Sequence, residues 1–122
     1  LGIVQLRRLP DLIARRRVIA RRYDDLAREC GLSGAPECPA DRERIDYRYV
    51  LRTDRLEEIL SAGQAAGIAY RRPVFKPLHH CLGLSGYPHA EAAFRSALSL
   101  PIYPSLSEEE LGAILDHLRP LL

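Results

Sequence analysis

Arg72, Lys76, His79, His80, Cys81 and His89 bring cations, imidazoles and a thiol into one short stretch of the chain. The amine of Lys76 suits a phosphate or a Schiff base, against the simpler role of a surface lysine whose stem lies on Phe75. His79, His80 and Cys81, with His89 nearby, are zinc-ligand types. Adjacent loop residues seldom both reach one ion, however, and no Cys-x-x-Cys or His-Glu-x-x-His spacing is present, so no metal site is expected. Cys81 beside His79 or His80 could be an activated nucleophile, but a lone cysteine more often serves as a small buried hydrophobe. The carboxylates Glu108 Glu109 Glu110, Glu57 Glu58 and Asp24 Asp25 sit in helix turns, where they suit the dipole or solvent and form no acid/base pair. Gly83 and Gly86 are isolated turn residues, so there is no glycine-rich phosphate loop.

The elements that position these groups read as follows. Leu6, Leu9, Leu12, Ile13, Ile19, Ala20, Tyr23, Leu26, Ala27 and Cys30 recur at three- and four-residue steps, which predicts a long amphipathic helix ended by Gly31. Pro10 predicts a kink, or a restart with Pro10 in the first turn. Residues 31–44, with Gly31, Ser33, Gly34, Pro36 and Pro39, have loop composition. Alternation of Tyr47, Tyr49 and Leu51 predicts a half-buried strand over 46–52. A helix follows, capped by Asp54 with Glu57, facing inward through Leu56, Ile59 and Leu60, and turning at Gly67. Ile68 to Val74 reads as a second strand, and Pro73 and Pro77 make Phe75 to Cys81 a shaped loop. Pro88 starts a short helix with inner face Ala90, Ala93, Phe94, Ala97 and Leu98, and Leu100 to Tyr103 is extended. Ser107 and Glu110 form a capping box with Leu106 and Leu111 as its staple. The last helix buries Leu111, Ile114, Leu115 and Leu118 and frays at Pro120. About four helices and two or three short strands make an α+β arrangement.

With 122 residues, 47% hydrophobic and 28% charged, the chain suits one domain with one modest core. It contains no Met, so residue 1 is expected to be internal to a longer product or the start of a trimmed one. No secretory signal pattern opens it, and no apolar run approaches the roughly 20 residues a bilayer requires. Lys76 is the only lysine among 18 Lys and Arg, and the net charge is +2. Arg15 Arg16 Arg17 and Arg21 Arg22 share a helix with Asp11, Asp24, Asp25 and Glu29 at spacings that allow intrahelical pairs, so a solvated face is expected in place of a nucleic-acid surface. Cys30, Cys38 and Cys81 are odd in number and lack a disulfide-scaffold spacing, which favours a reducing, cytoplasmic setting.

Several segments together resemble a known family. Leu1 Gly2 with Gln5 Leu6 and Leu9, then Ile13 to Arg17, Ile19 Ala20 and Tyr23, is similar to the helix that opens the C-terminal part of the DegT/DnrJ/EryC1/StrS aminotransferases. Tyr49 Val50, Gly67 Ile68, Arg72 Pro73 to His79, and Leu98 Ser99 Leu100 Pro101 Ile102 Tyr103 Pro104 with Ser107 to Glu110 continue the resemblance in order. It covers nearly the whole chain outside the loop from Gly31 to Arg44.

The resemblance implies the small C-terminal domain, residues 1–122, of a fold type I pyridoxal-phosphate aminotransferase. The parent would act on a nucleotide-linked keto-sugar with glutamate as amino donor, as a homodimer, for surface polysaccharide or a secondary metabolite. In such enzymes the Schiff-base lysine, the aspartate at the pyridine nitrogen, the ring-stacking aromatic and most phosphate contacts lie in the larger, earlier domain. Lys76 is too far downstream to take the Schiff-base role, so no catalytic or cofactor-binding residue is expected here, and the fragment alone should be inactive. Arg72, Lys76 and His79 match the loop that borders the sugar-diphosphate cleft: Arg72 or Lys76 would pair with phosphate and His79 donate to an oxygen. The alternatives are an Arg72–carboxylate pair and a structural His79. Faces of the first helix left bare, notably Leu6, Leu9 and Ile13, would favour self-association. The rival functional reading is a stand-alone, non-catalytic binding or dimerisation module derived from the family.

Overall fold

The computed structural model describes residues 2–32 and 38–122. Leu1 of the opening motif and Ser33, Gly34 and Pro36 of the predicted loop lie outside the described residues. The element order is α1 (Gly2–Glu29), β1 (Tyr49–Arg52), α2 (Leu56–Ala65), α3 (Leu78–Cys81), α4 (Pro88–Ser96), β2 (Ala97–Leu100) and α5 (Glu108–Leu118), closed by a 3-10 turn over Arg119–Leu121. The fold is α+β as expected, with five helices and one two-stranded antiparallel sheet among the described residues.

α1 runs unbroken through Pro10, so of the two expected alternatives the restart does not occur. The donor Pro10 lacks would have met the carbonyl of Leu6, which stands at the exposed end where water can serve it. Only the second half of the predicted stripe is buried: Ile19, Ala20, Tyr23, Leu26 and Ala27 enter the core, while Ile3, Val4, Leu6 and Leu9 are exposed. Gly31 ends the helix at φ 71°, with Gly31 N–H donating to Arg28 O (3.1 Å) and Leu32 N–H to Ala27 O (2.8 Å). That pair of bonds is the Schellman pattern, and it folds Leu32 back onto the core.

β1 is shorter than the predicted strand. Asp46 is buried and takes the left-handed conformation (φ 46°), which throws Tyr47 outward to 72% exposure, and pairing starts only at Tyr49. β1 pairs β2 with Tyr49 opposite Leu100, Val50 opposite Ser99 and Leu51 opposite Leu98. The predicted second strand over Ile68 to Val74 contracts to one bridge, in which Arg71 and Ser99 exchange N–H···O bonds of 3.1 and 2.7 Å. Pro73 has no donor to extend it. Ser99 therefore lies between Val50 and Arg71, and β2 is flanked on both sides.

Asp54 does not cap α2. Thr53 accepts the N–H of Arg55 through its hydroxyl (3.1 Å), and the helix starts at Leu56 without a side-chain cap. Its end follows the prediction: Gly67 sits at φ 71°, and Ile68 N–H reaches Gly63 O at 2.8 Å. α4 ends earlier than predicted. Ala97 and Leu98 are buried in β2, and no residue of α4 itself is buried, so the expected inner face is only half-covered at Ala93 and Phe94 and exposed at Ala90. Leu78–Cys81 coils into a single helical turn inside the predicted loop.

The Ser107–Glu110 capping box forms in both directions, at 3.1 and 2.8 Å. Leu106 and Leu111 are both buried, as are Ile114, Leu115 and Leu118. Three tyrosines anchor the core between α1, the sheet and α5. Tyr23 donates to Pro101 O (2.7 Å), Tyr49 to Asp24 Oδ1 (2.7 Å) and Tyr70 to Ile114 O (3.3 Å), so each buried hydroxyl has a partner.

The charged face of α1 pairs outward more than along itself. Arg28 meets Asp25 within the helix, but Arg15 reaches Glu108 on α5, Arg17 reaches Glu43 and Glu29 receives Arg119. The expected intrahelical lattice is largely replaced by ties to other elements. The cysteines are free, with Cys38 and Cys81 exposed. No helix among the described residues is long and apolar enough to cross a membrane.

Candidate functional site

The segment after α2 turns along the sheet at Arg71 and then leaves it, which places successive side chains on different walls. Arg71 and Arg72 line a cavity of about 1070 Å³, together with Arg16 from α1 and Arg48 from the residue before β1. Tyr47 and Phe75 complete its rim; the outward turn at Asp46 that removed Tyr47 from the core is what brings it there.

Four guanidinium groups thus share one cavity, and their partners differ in kind. Arg16 donates to Tyr47 O (2.9 Å) and Ile102 O (2.6 Å), with its guanidinium 5.6 Å from the Tyr47 ring centre. Arg48 donates to Pro73 O, and Arg71 to Tyr70 O at 3.0 Å. These acceptors are neutral carbonyls, which fix the side chains without cancelling their charge. Arg72 is the exception: it pairs with Glu57, donates to Phe94 O (2.9 Å) and lies 4.9 Å from the Phe94 ring centre. A wall of cations held by carbonyls is suited to a multiply charged anion, because guanidinium forks match phosphate and carboxylate oxygens.

Of the three residues expected from the sequence, Arg72 reaches this cavity with a carboxylate already on it. Lys76 is exposed and is not among the cavity's lining residues. His79 is on α3 and turns away into a second cluster, buried against Tyr87 at 5.2 Å between ring centres. Its Nε2 is 2.8 Å from Glu91 Oε1, and His80 Nε2 contacts the same oxygen. These two imidazoles hold the Glu91 carboxyl below the usual glutamate range, the bond from His79 contributing most. Both alternatives weighed for this loop, the Arg72–carboxylate pair and a hydrogen-bonded His79, describe the geometry found.

Arg48 and Arg71 were not singled out in the sequence, and Arg16 stood out only within the Arg15 Arg16 Arg17 run, for which a solvated face was expected; instead it lines this cavity. Arg48 and Arg71 each precede or follow a buried tyrosine, the outward phase of an extended segment, and that alternation was the available signal. The arginine run does not distinguish Arg16 from its neighbours, and it meets Arg48 and Arg71 only through the docking of α1.

The description of the DegT/DnrJ/EryC1/StrS aminotransferase family matches residues 1–119. The chain is 33% identical over 124 residues to dTDP-4-dehydro-2,3,6-trideoxy-D-glucose 4-aminotransferase of Saccharopolyspora spinosa, covering 96% of this chain and 32% of that protein. Among solved structures, the aminotransferase TlmJ from Streptoalloteichus hindustanus superposes with a TM-score of 0.90 at 31% identity, over 98% of this chain and 34% of that one. A protein of Streptococcus pneumoniae described as a sugar aminotransferase, in its PMP form, gives a TM-score of 0.86 at 29% identity, over 98% and 33%. The chain spans about a third of the length of the relatives it matches.

Proposed function

The chain belongs to the DegT/DnrJ/EryC1/StrS aminotransferase family, and from that premise we propose that it is the C-terminal domain of a pyridoxal-phosphate-dependent aminotransferase that transfers an amino group from glutamate to a nucleotide-linked keto-sugar. The observation that carries the substrate class is the cavity walled by Arg16, Arg48 and Arg71, whose hydrogen bonds among the described residues go to carbonyls. A nucleotide sugar brings a diphosphate, and unneutralised guanidinium groups are what such a group requires.

In this reading residues 1–122 form one domain and supply the substrate side of the cleft. Arg72 lines that cleft, Lys76 follows it on the exposed loop beyond the lining, and His79 braces the loop through Glu91. The described residues do not fit the cofactor itself: Lys76, the only lysine, is exposed and outside the arginine cavity, and the cavity wall holds no carboxylate to meet a pyridine nitrogen. The cofactor belongs to the remainder of the parent, this chain alone is inactive, and no chemical step is assigned to it. The parent works as a cytoplasmic homodimer. Pairing of Arg15 and Arg17 with Glu108 and Glu43 supports a role unrelated to nucleic acid.

The test begins with the native polypeptide in the source cells, sized by immunoblot with an antibody against this chain. A band several times larger, with amino transfer to a keto-sugar nucleotide that requires pyridoxal phosphate, supports the proposal. A band of this chain's own size favours a stand-alone dimerisation module. In the active parent, Arg72, Lys76 and His79 all changed to Ala should raise the Michaelis constant for the sugar nucleotide; an unchanged constant removes these three from the substrate border.

A further inference from the structure

We propose that His79, His80 and Glu91 form a binding site for a divalent transition-metal ion of the zinc type. The sequence argued against metal because neighbouring residues on a loop seldom reach one ion. The fold removes that objection by coiling the two histidines into α3 and setting α4 opposite them. One ring nitrogen from each histidine and a Glu91 carboxylate oxygen then lie within 4.8 Å of one another.

Successive residues on a helical turn diverge by about 100°, so convergence requires that packing turn the two rings together. His79 has a side chain only 10% exposed and packs on Tyr87; His80 sets its edge against Phe94, with 5.8 Å between ring centres. The two imidazoles meet edge to face at 4.5 Å. Glu91 is steered from its own helix, with Oε2 3.9 Å from Arg95 Nε. Each donor is therefore positioned by a neighbour that is not itself a ligand, which is the support a metal site requires.

The donor set is chemically selective. Two imidazoles and one carboxylate suit zinc, nickel or copper better than magnesium or calcium, which prefer oxygen alone. In the arrangement described, both ring nitrogens face one carboxylate oxygen, so each must present a proton to it. A dication replaces those protons and takes the nitrogen lone pairs instead. Tetrahedral zinc spaces its ligand atoms about 3.3 Å apart, so the 2.8 Å between His79 Nε2 and Glu91 Oε1 must open slightly, and His80, whose side chain is 33% exposed, must rotate with it. A cavity of about 520 Å³ borders His80 and Glu91 and gives water access to a remaining coordination position. Arg72 on its wall is paired with Glu57, which lowers the repulsion a cation would meet.

The chain is stripped with chelator and titrated with zinc alone by calorimetry, then with cobalt(II) followed by visible absorption. One ion per chain, the bands of four-coordinate cobalt without sulfur charge transfer, and a higher melting temperature with zinc are the expected results. His80→Ala and Glu91→Gln should each weaken binding by about tenfold or more, while His89→Ala and Cys81→Ser leave it unchanged. Melting curves without metal establish that the variants are folded. Absence of saturable binding, equal binding in both ligand variants, or loss of the cobalt signal in Cys81→Ser overturns the site.

Discussion

Glu91 shows how one residue ties the loop after α2 to the helix beyond it. Its carboxylate accepts from His79 and His80 and is held below the ordinary glutamate range for that reason. A carboxylate lowered on folding adds stability above its unfolded value, about 4.3, and that contribution is lost as pH falls through the lower folded value. The melting advantage of the native chain over Glu91→Gln should therefore shrink as the buffer is taken from neutral toward pH 3, and an advantage constant across that range would rule out the carboxylate as its source. The histidine pair was visible in the sequence, but Glu91, twelve residues from His79, was not. Only the packing of α3 against α4 relates them. The same limit applies to the arginine cavity: Arg72 stood out beside prolines, whereas Arg16, Arg48 and Arg71 acquire their common setting from tertiary structure.

At the scale of elements, local chemistry was legible and pairing was not. The Ser107–Glu110 box and the glycine ends at Gly31 and Gly67 each depend on residues within five positions, and all three appear as read. The strand over Ile68 to Val74 depended on a partner, and the partner offers one bridge. Asp54 does not cap α2 because the helix starts one residue later than read, with Arg55 at the N-cap position, and Thr53 accepts the Arg55 N–H. A further constraint lies where α2 meets Tyr70: a Cβ on Gly63 would stand 2.3 Å from Tyr70 Cδ2 and 3.1 Å from the carbonyl oxygen of Ile68. In an open helix alanine would gain about 1 kcal/mol over glycine. Here the ring is buried at 2% exposure and its hydroxyl is fixed near Ile114 and His117, so it cannot yield cheaply. Gly63→Ala should destabilise by about 1–3 kcal/mol in denaturant unfolding, and a stabilised variant would show that the ring moves freely.

For the molecule as a whole, the uneven burial of α1 matters most. Its second half belongs to the core with α5, while Ile3, Val4, Leu6 and Leu9 project from the first half. Ile13, expected on the same stripe, is half-buried. Apolar side chains gathered on one helix end favour association between copies. Sedimentation should show concentration-dependent self-association that Leu6→Glu with Leu9→Glu abolishes; a strict monomer at high concentration would contradict it. That face and the arginine cavity lie on a chain spanning a third of its relatives' length, which is why the substrate reading must be tested in the proposed full-length enzyme. The most direct measurement is steady-state amino transfer by that enzyme with Arg48→Ala and Arg71→Ala, separating the Michaelis constant for the nucleotide sugar from turnover. A hydrogen bond to a charged group is worth about 1.5–3 kcal/mol, so each variant should raise the Michaelis constant about tenfold or more with turnover little changed. An unchanged Michaelis constant in both would contradict the assignment of this cavity to the sugar diphosphate.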